Sequence, residues 1–488
     1  MLSPVKYSYA FLCFFLLNSS LQAQKKELTD DQYFRSNFKG IVQSLPVVTK
    51  WTDDTHFILL KNSKKYSVDA RSGTETEIAD TAVSKPGVAT RPSVYNKDGD
   101  LYVKVNDKEI QLTSDKEKKS TPVLSPDGNY VAFTKKNDLY TININTKKEN
   151  RLTTDGSDVI LNGYASWVYM EEILGRSSQY RAFWWSPDSK KIAYFRTDDS
   201  KVPVFTITSS KGLHGEVENT RYPKVGDPNP AVKIGIIGPD GGEVVWTKID
   251  EKDDQYFGTP FWKPDGSALL VQWMPRSQDE LKIYEVNPLT GDLVTFYTEK
   301  QKTWIKLKDE GERLSFLKNG RGFIISSDKT GWNHLYYYDI KGKLINAVTT
   351  GKFTVTAIEY IDEKNNLVYF CARGRENTAR IDYYCVGLNG SNMKRLTFGD
   401  YNHSLINPSP KGDYFISTYS NSVTPTKIAL LNNKGKVIKE LGDSKANEFD
   451  NYNLAKTELV RVRSDDGLYD LPMKVTWPLN MDLGRTYP

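Results

Sequence analysis

A single kind of turn recurs along this chain at regular spacing, and that recurrence limits the fold more than any other feature. The clearest copies are Leu124-Ser125-Pro126-Asp127-Gly128, Trp185-Ser186-Pro187-Asp188-Ser189 and Trp262-Lys263-Pro264-Asp265-Gly266. Looser copies are Tyr95-Asn96-Lys97-Asp98-Gly99, Leu317-Lys318-Asn319-Gly320 and Pro408-Ser409-Pro410-Lys411-Gly412. Proline fixes φ at the first turn position, Asp or Asn bonds back to the backbone, and Gly takes the conformation other residues resist. Strand-type runs follow: Tyr130-Val131-Ala132-Phe133, Lys191-Ile192-Ala193-Tyr194-Phe195, Ala268-Leu269-Leu270-Val271 and Phe323-Ile324-Ile325. Short strands, turn punctuation and a repeated unit together describe an all-β chain, a β-propeller rather than a sandwich. Counting units between 47 and about 442 predicts about eight blades.

Repetition also answers a problem of size. At 488 residues the chain exceeds what one ordinary core supports, since such cores stop growing near roughly 250–300 residues. Its 29 tyrosines suit strands better than helices. The net charge of +5 is small and both signs are interspersed, so no basic stripe points to nucleic acid as a partner.

Residues 1–23 read as a cleavable signal peptide. Lys6 supplies a positive start, Tyr9 to Leu17 is a short apolar stretch, and Leu21-Gln22-Ala23 fits cleavage after Ala23. The stretch is well short of the roughly 20 residues that span a bilayer. The expectation is a secreted or periplasmic protein with no membrane span. Cleavage would remove Cys13 and leave Cys371 and Cys385, which flank a polar stretch at 373–380. A disulfide and two free thiols on paired strands are both compatible with that placement.

Two stretches break the rhythm. Residues 167–175 read as a short helix or extended loop after the third blade, and 202–245 as a longer excursion. Insertions in propellers map to loops on one face and commonly carry function. Near the C-terminal end, Leu459 to Ser464, a turn at Asp465-Asp466-Gly467 and Leu471 to Pro478 form a hairpin unlike a blade.

At Trp167-Val168-Tyr169-Met170-Glu171-Glu172-Ile173 the chain resembles the dipeptidyl peptidase IV family of prolyl-specific serine peptidases. Phe183-Trp184-Trp185-Ser186-Pro187-Asp188, Ile192-Ala193-Tyr194-Phe195-Arg196 and Gly331-Trp332-Asn333-His334-Leu335-Tyr336 extend the resemblance. The hairpin ending Trp477-Pro478-Leu479 is similar to the family's entry into its α/β-hydrolase domain. The resemblance implies a propeller over 24–455 and the start of a truncated hydrolase domain over 456–488. It assigns Glu171 and Glu172 to the substrate's N-terminal ammonium, which two carboxylates hold through charge-assisted hydrogen bonds. It assigns Arg91, in Thr90-Arg91-Pro92-Ser93, to a substrate carbonyl. Without the resemblance, adjacent glutamates are an ordinary solvated pair and Arg91 an ordinary loop arginine.

The family's Ser, Asp and His triad belongs to the hydrolase domain, with the Ser on a G-x-S-x-G elbow. No such elbow occurs here, and Ser166 in Gly163-Tyr164-Ala165-Ser166-Trp167 lacks the flanking glycines at the required spacing. His56, His214, His334 and His403 are scattered and read as structural or surface residues. No metal-binding motif is present, so neither metal nor cofactor is expected. No catalytic residue is assigned within the chain, which alone is expected to be inactive. The resemblance implies a secreted serine exopeptidase releasing dipeptides, Xaa-Pro above all, from oligopeptides with a free N-terminus, and a homodimer in the full-length protein. A tripeptidyl peptidase would use the same carboxylates, and a non-catalytic periplasmic propeller that binds protein or peptide is the alternative from another class.

Overall fold

The recurrent turn shows its chemistry directly at Ser125. The Ser125 N–H donates to Tyr130 O (2.8 Å) and the Gly128 N–H to Ser125 O (2.9 Å). Asp127 Oδ1 accepts from Ser125 Oγ at 2.6 Å and from the Asn129 N–H at 3.0 Å. Ser125 Oγ in turn accepts from the Tyr130 N–H at 3.0 Å. Gly128 sits at φ 76°, the left-handed region that a side chain resists. Ser186 repeats the pattern with Asp188 (2.7 Å) and Lys191 (2.9 Å). Each turn thereby passes one strand straight into its antiparallel neighbour.

The computed structural model describes residues 25–78, 92–105, 108–308, 312–479, 481–482 and 484–486. The expected signal peptide, with its cleavage point at Ala23, and Arg91 lie outside the described residues. Among the described residues, eight antiparallel sheets of three to five strands follow in chain order, over 47–78, 93–111, 120–151, 160–246, 255–300, 314–347, 354–395 and 402–443. Two hairpins stand outside them, Val204–Ser209 with Glu216–Arg221 and Thr457–Arg463 with Asp470–Thr476. This is the propeller expected from the turn spacing.

Apolar side chains fill the seams between sheets. Leu101 and Val103 meet Val131 and Phe133 between the second and third sheets. Corresponding clusters join each later pair up to the seventh and eighth, where Tyr383 meets Phe415. The eighth sheet then packs on the first, with Ile416, Leu430 and Leu441 against Phe57, Leu59 and Val68. Trp51 Nε1 donates to Asn407 Oδ1 across the same seam at 3.1 Å. Full burial of such a side chain is worth about 1.5–3 kcal/mol, so these seams dominate stability. Among the described residues no comparable cluster joins the first sheet to the second.

A second repeat underlies the sheets. Asp138 accepts from Thr153 Oγ1 at 2.7 Å, Asp382 from Thr397 Oγ1 at 2.7 Å and Asp100 from Thr113 Oγ1 at 2.9 Å. His334 Nδ1 pairs with Thr349 Oγ1 at 3.0 Å in the equivalent place. Each pair ties the start of one strand to the end of the next, satisfying buried polar groups inside the sheet.

Three expectations are resolved here. The excursion placed at 202–245 ends sooner, because Ala231–Gly238 and Gly241–Trp246 are strands of the fourth sheet, the former paired along Ile192–Asp198. The inserted hairpin hid that pairing by separating the partners in sequence. Cys371 and Cys385 are free thiols, opposite Tyr383 and Tyr369 respectively on paired strands. His334 and His403 are buried, each with Nε2 2.9 Å from a backbone carbonyl, and burial lowers both pKa values.

Candidate functional site

The first insertion interrupts an edge of the fourth sheet. Ile160–Asn162 and Phe183–Trp185 both pair with Ile192–Asp198, and the chain between them forms a loop whose Ala165, Tyr169, Met170 and Leu174 pack into the core between the fourth and fifth sheets. Its neck is closed by hydrogen bonds from the Ala182 N–H to Gly163 O (3.0 Å) and the Ala165 N–H to Tyr180 O (2.8 Å). The Tyr164 and Tyr180 rings stack there at 5.0 Å, 1° from parallel.

Of the two forms open to residues 167–175, the structure selects a helix, a single π-type turn over Tyr169–Ile173. The Leu174 N–H donates to Tyr169 O at 2.7 Å, closing the wide turn. Such turns are rare and gather at functional sites. So short a helix has no stability of its own, and aromatic packing holds it. Tyr169 is buried with its ring edge-on to Phe195, and its hydroxyl accepts from the Phe257 N–H in the fifth sheet at 3.3 Å. Trp167 meets Tyr222, at the foot of the second insertion, at 4.6 Å.

This turn carries both predicted glutamates, in unequal surroundings. Glu171 is partly buried, and its Oε1 accepts from Arg176 Nε at 2.7 Å and from Arg176 Nη2. Glu172 is exposed and lines a cavity of about 640 Å³. Glu172 has no hydrogen-bond or ion-pair partner among the described residues. Across the cavity stand Trp304, Lys306 and Lys308, with Tyr256 and Gln278 beside them.

That far wall is held by buried polar groups. The Ile305 N–H donates to Gln278 O (2.7 Å), the Gln272 amide to Lys308 O (2.8 Å) and Arg313 Nη2 to Lys306 O (2.5 Å). Lys308 Nζ donates to Asn333 Oδ1 at 2.7 Å and Ser326 Oγ at 3.1 Å. Burial, with the Arg313 guanidinium beside it, pulls Lys308 down to about 8. Around the neck, burial and the carboxylates of Glu218 and Glu171 hold the Tyr180 phenol above its ordinary value.

The structure places both glutamates singled out in the sequence on one turn at a cavity, and adds Arg176 and the wall at 304–308, which the sequence did not single out. Arg176 offered a weak signal, since it lies five residues after Glu171 in the same loop. The wall at 304–308 offered none, because only folding brings it across from residues 130 positions away. Among the described residues, no group of three or more His, Cys, Asp or Glu could hold a metal, and no helix is long and apolar enough to cross a membrane.

Residues 94–426 match the family described as the dipeptidyl peptidase IV (DPP IV) N-terminal region. The chain belongs to that family. Dipeptidyl peptidase 4 of Arthroderma otae is 29% identical over 386 residues, covering 75% of this chain and 48% of the relative. Dipeptidyl peptidase 4 of Trichophyton rubrum is 28% identical over 383 residues, with 75% and 48% covered. The chain thus spans about half the length of these curated relatives. The crystal structure of Porphyromonas gingivalis dipeptidyl peptidase 4 superposes with a TM-score of 0.75 over 95% of this chain and 69% of that one, at 23% identity, a likeness of fold.

Proposed function

We propose that this chain is the access-controlling, N-terminus-anchoring part of a secreted serine exopeptidase that releases dipeptides, Xaa-Pro above all, from free N-termini. On this reading 24–455 form the propeller and 456–488 begin the α/β-hydrolase domain that supplies the Ser, Asp and His. The observation that carries it is the adjacent pair Glu171 and Glu172 on a braced π-type turn, with Glu172 at a cavity and without a hydrogen-bond or ion-pair partner among the described residues. A peptide ammonium offers three N–H donors, and two carboxylates at one point accept them as charge-assisted bonds. Because aromatic packing fixes the turn, the anchor sits at a set distance from wherever the scissile bond is cleaved. Relatives named dipeptidyl peptidase support the release of two residues at a time.

Two hairpins support the larger assembly. Among the described residues, Thr457–Arg463 and Asp470–Thr476 pair with each other alone and expose Leu459, Leu471 and Met473, as a hairpin opening a further domain would. Val204–Ser209 and Glu216–Arg221 expose Ile207 and Val217, a surface suited to a homodimer in the full-length protein.

Calorimetry with a free-amine Gly-Pro-Ala tripeptide and its N-acetylated copy tests the anchor. The free peptide is expected to bind at least about tenfold more tightly, the worth of one hydrogen bond to a charged group. Equal affinities would remove the reading.

A further inference from the structure

The two glutamates differ in one respect that adjacency alone does not explain. Arg176 directs Nε and Nη2 at the same oxygen, Oε1 of Glu171. Its own side chain is 77% exposed, while that of Glu171 is only 17% exposed. The carboxylate is therefore gripped from one side, and its second oxygen takes no part in the fork. Glu172, next along the turn, has no such partner and lines the cavity.

We infer that Arg176 is a positioning residue of the ammonium anchor, acting through Glu171 and not on the ligand itself. This inference rests on the anchoring reading proposed above. Geometrically, a glutamate on a one-turn helix has free rotamers, and a fork on Oε1 selects one of them, leaving Oε2 for an incoming N–H donor. Pre-ordering an acceptor lowers the entropy that binding would otherwise have to remove.

Electrostatically, the Arg176 guanidinium offsets one of the two carboxylate charges carried by the turn. Two bare carboxylates on adjacent residues repel each other, and the guanidinium relieves that repulsion. The other groups facing the Tyr180 neck are Glu218, on the second insertion, and Glu171 itself, with Arg176 as the opposing charge. The anchor is thus asymmetric: Glu172 is the open acceptor and Glu171 the held one.

A double-mutant cycle on the chain tests this, with the Gly-Pro-Ala dissociation constant as readout and thermal melts confirming that each variant folds. Arg176→Gln is expected to weaken binding about two- to fivefold, the range an exposed ion pair supports. In the Glu171→Gln background the same substitution should change affinity by less than about 1.5-fold, because the pair no longer exists. Arg176→Lys, which keeps the charge without the fork, should recover part of the loss. An unchanged or tighter dissociation constant in Arg176→Gln, or an equal loss in both backgrounds, overturns the inference. If the acetylated peptide binds as well as the free one, the anchoring reading itself fails. If the free amine is required but the cycle is additive, only the role of Arg176 fails.

Discussion

The fourth and sixth sheets are built on one plan and put to different uses. The sixth runs as an uninterrupted meander, Leu314–Phe316, Gly322–Ser327, His334–Asp339 and Leu344–Ala347, and every residue of Gly322–Ser327 is buried. The fourth has a mostly buried central strand in Ile192–Asp198, with only Arg196 and Asp198 part-exposed, yet its edge is cut by 163–182 and a hairpin leaves before Ala231. The difference shows that the central strands carry the packing. A blade can open its edge for a functional loop while its middle still fills both seams.

Five substitutions would break or sharpen that contrast, taken from the largest expected effect to the smallest. Phe323→Ala empties the middle of the sixth sheet, where the ring lies 4.8 Å from Phe296 and 5.4 Å from Tyr338. Urea unfolding should show a loss of about 3–5 kcal/mol, while the folded fraction binds peptide as before. A loss confined to peptide binding would reverse the roles assigned to the two sheets.

Asp199, at the end of the fourth sheet's central strand, gives that sheet a pH dependence. Burial pushes its carboxyl up to about 7, with Asp198 adding to the effect and Arg221 opposing it. A raised value means the folded protein holds the proton more tightly than the unfolded chain. The stability it lends is complete below the ordinary carboxyl range, near 4, and is lost as pH rises towards about 7. Denaturant titrations across that window should show the decline, and Asp199→Asn should flatten it. An unchanged slope in the variant would mean another group is responsible.

Glu172→Gln comes next, with an expected loss of about 1.5–3 kcal/mol in free-amine peptide binding and an unchanged melting temperature. Glu171→Gln should fall in the same range. Trp167→Ala gives the smallest effect, about 0.5–1.5 kcal/mol for the lost ring pair with Tyr222. It should speed hydrogen exchange across 163–182 and leave the sixth sheet alone. Faster exchange in both sheets would mean the insertion is part of the common core.

How much of this could be read from the chain depends on the distance over which each feature is encoded. The Ser125 turn is complete within six residues, so its chemistry is visible and the blades follow. The same turn at Ser464, where Ser464 Oγ donates to Asp466 (2.6 Å) and accepts from the Tyr469 N–H (2.8 Å), opens no blade. Turn chemistry is local, and only packing neighbours make a hairpin into a blade.

The glutamate pair could be singled out because adjacency and an aromatic lead-in lie within one loop, and its role as an anchor is the proposal made above. The Asp or His to Thr ties were written as Asp138-Leu139-Tyr140 with Leu152-Thr153, and as Asp382-Tyr383-Tyr384 with Leu396-Thr397. They escape a search for turns because they span a strand pair. The return of Ala231–Gly238 to the fourth sheet and the wall at 304–308 depend on contacts across long insertions or between sheets, which no local pattern records.

The most direct measurement is a crystal structure of the chain soaked with Gly-Pro-Ala. The peptide nitrogen is expected within about 3.2 Å of both a Glu171 and a Glu172 carboxylate oxygen, with the Glu171–Arg176 contact retained. A peptide seated elsewhere on the propeller, or one whose amine points away from this pair, would contradict it.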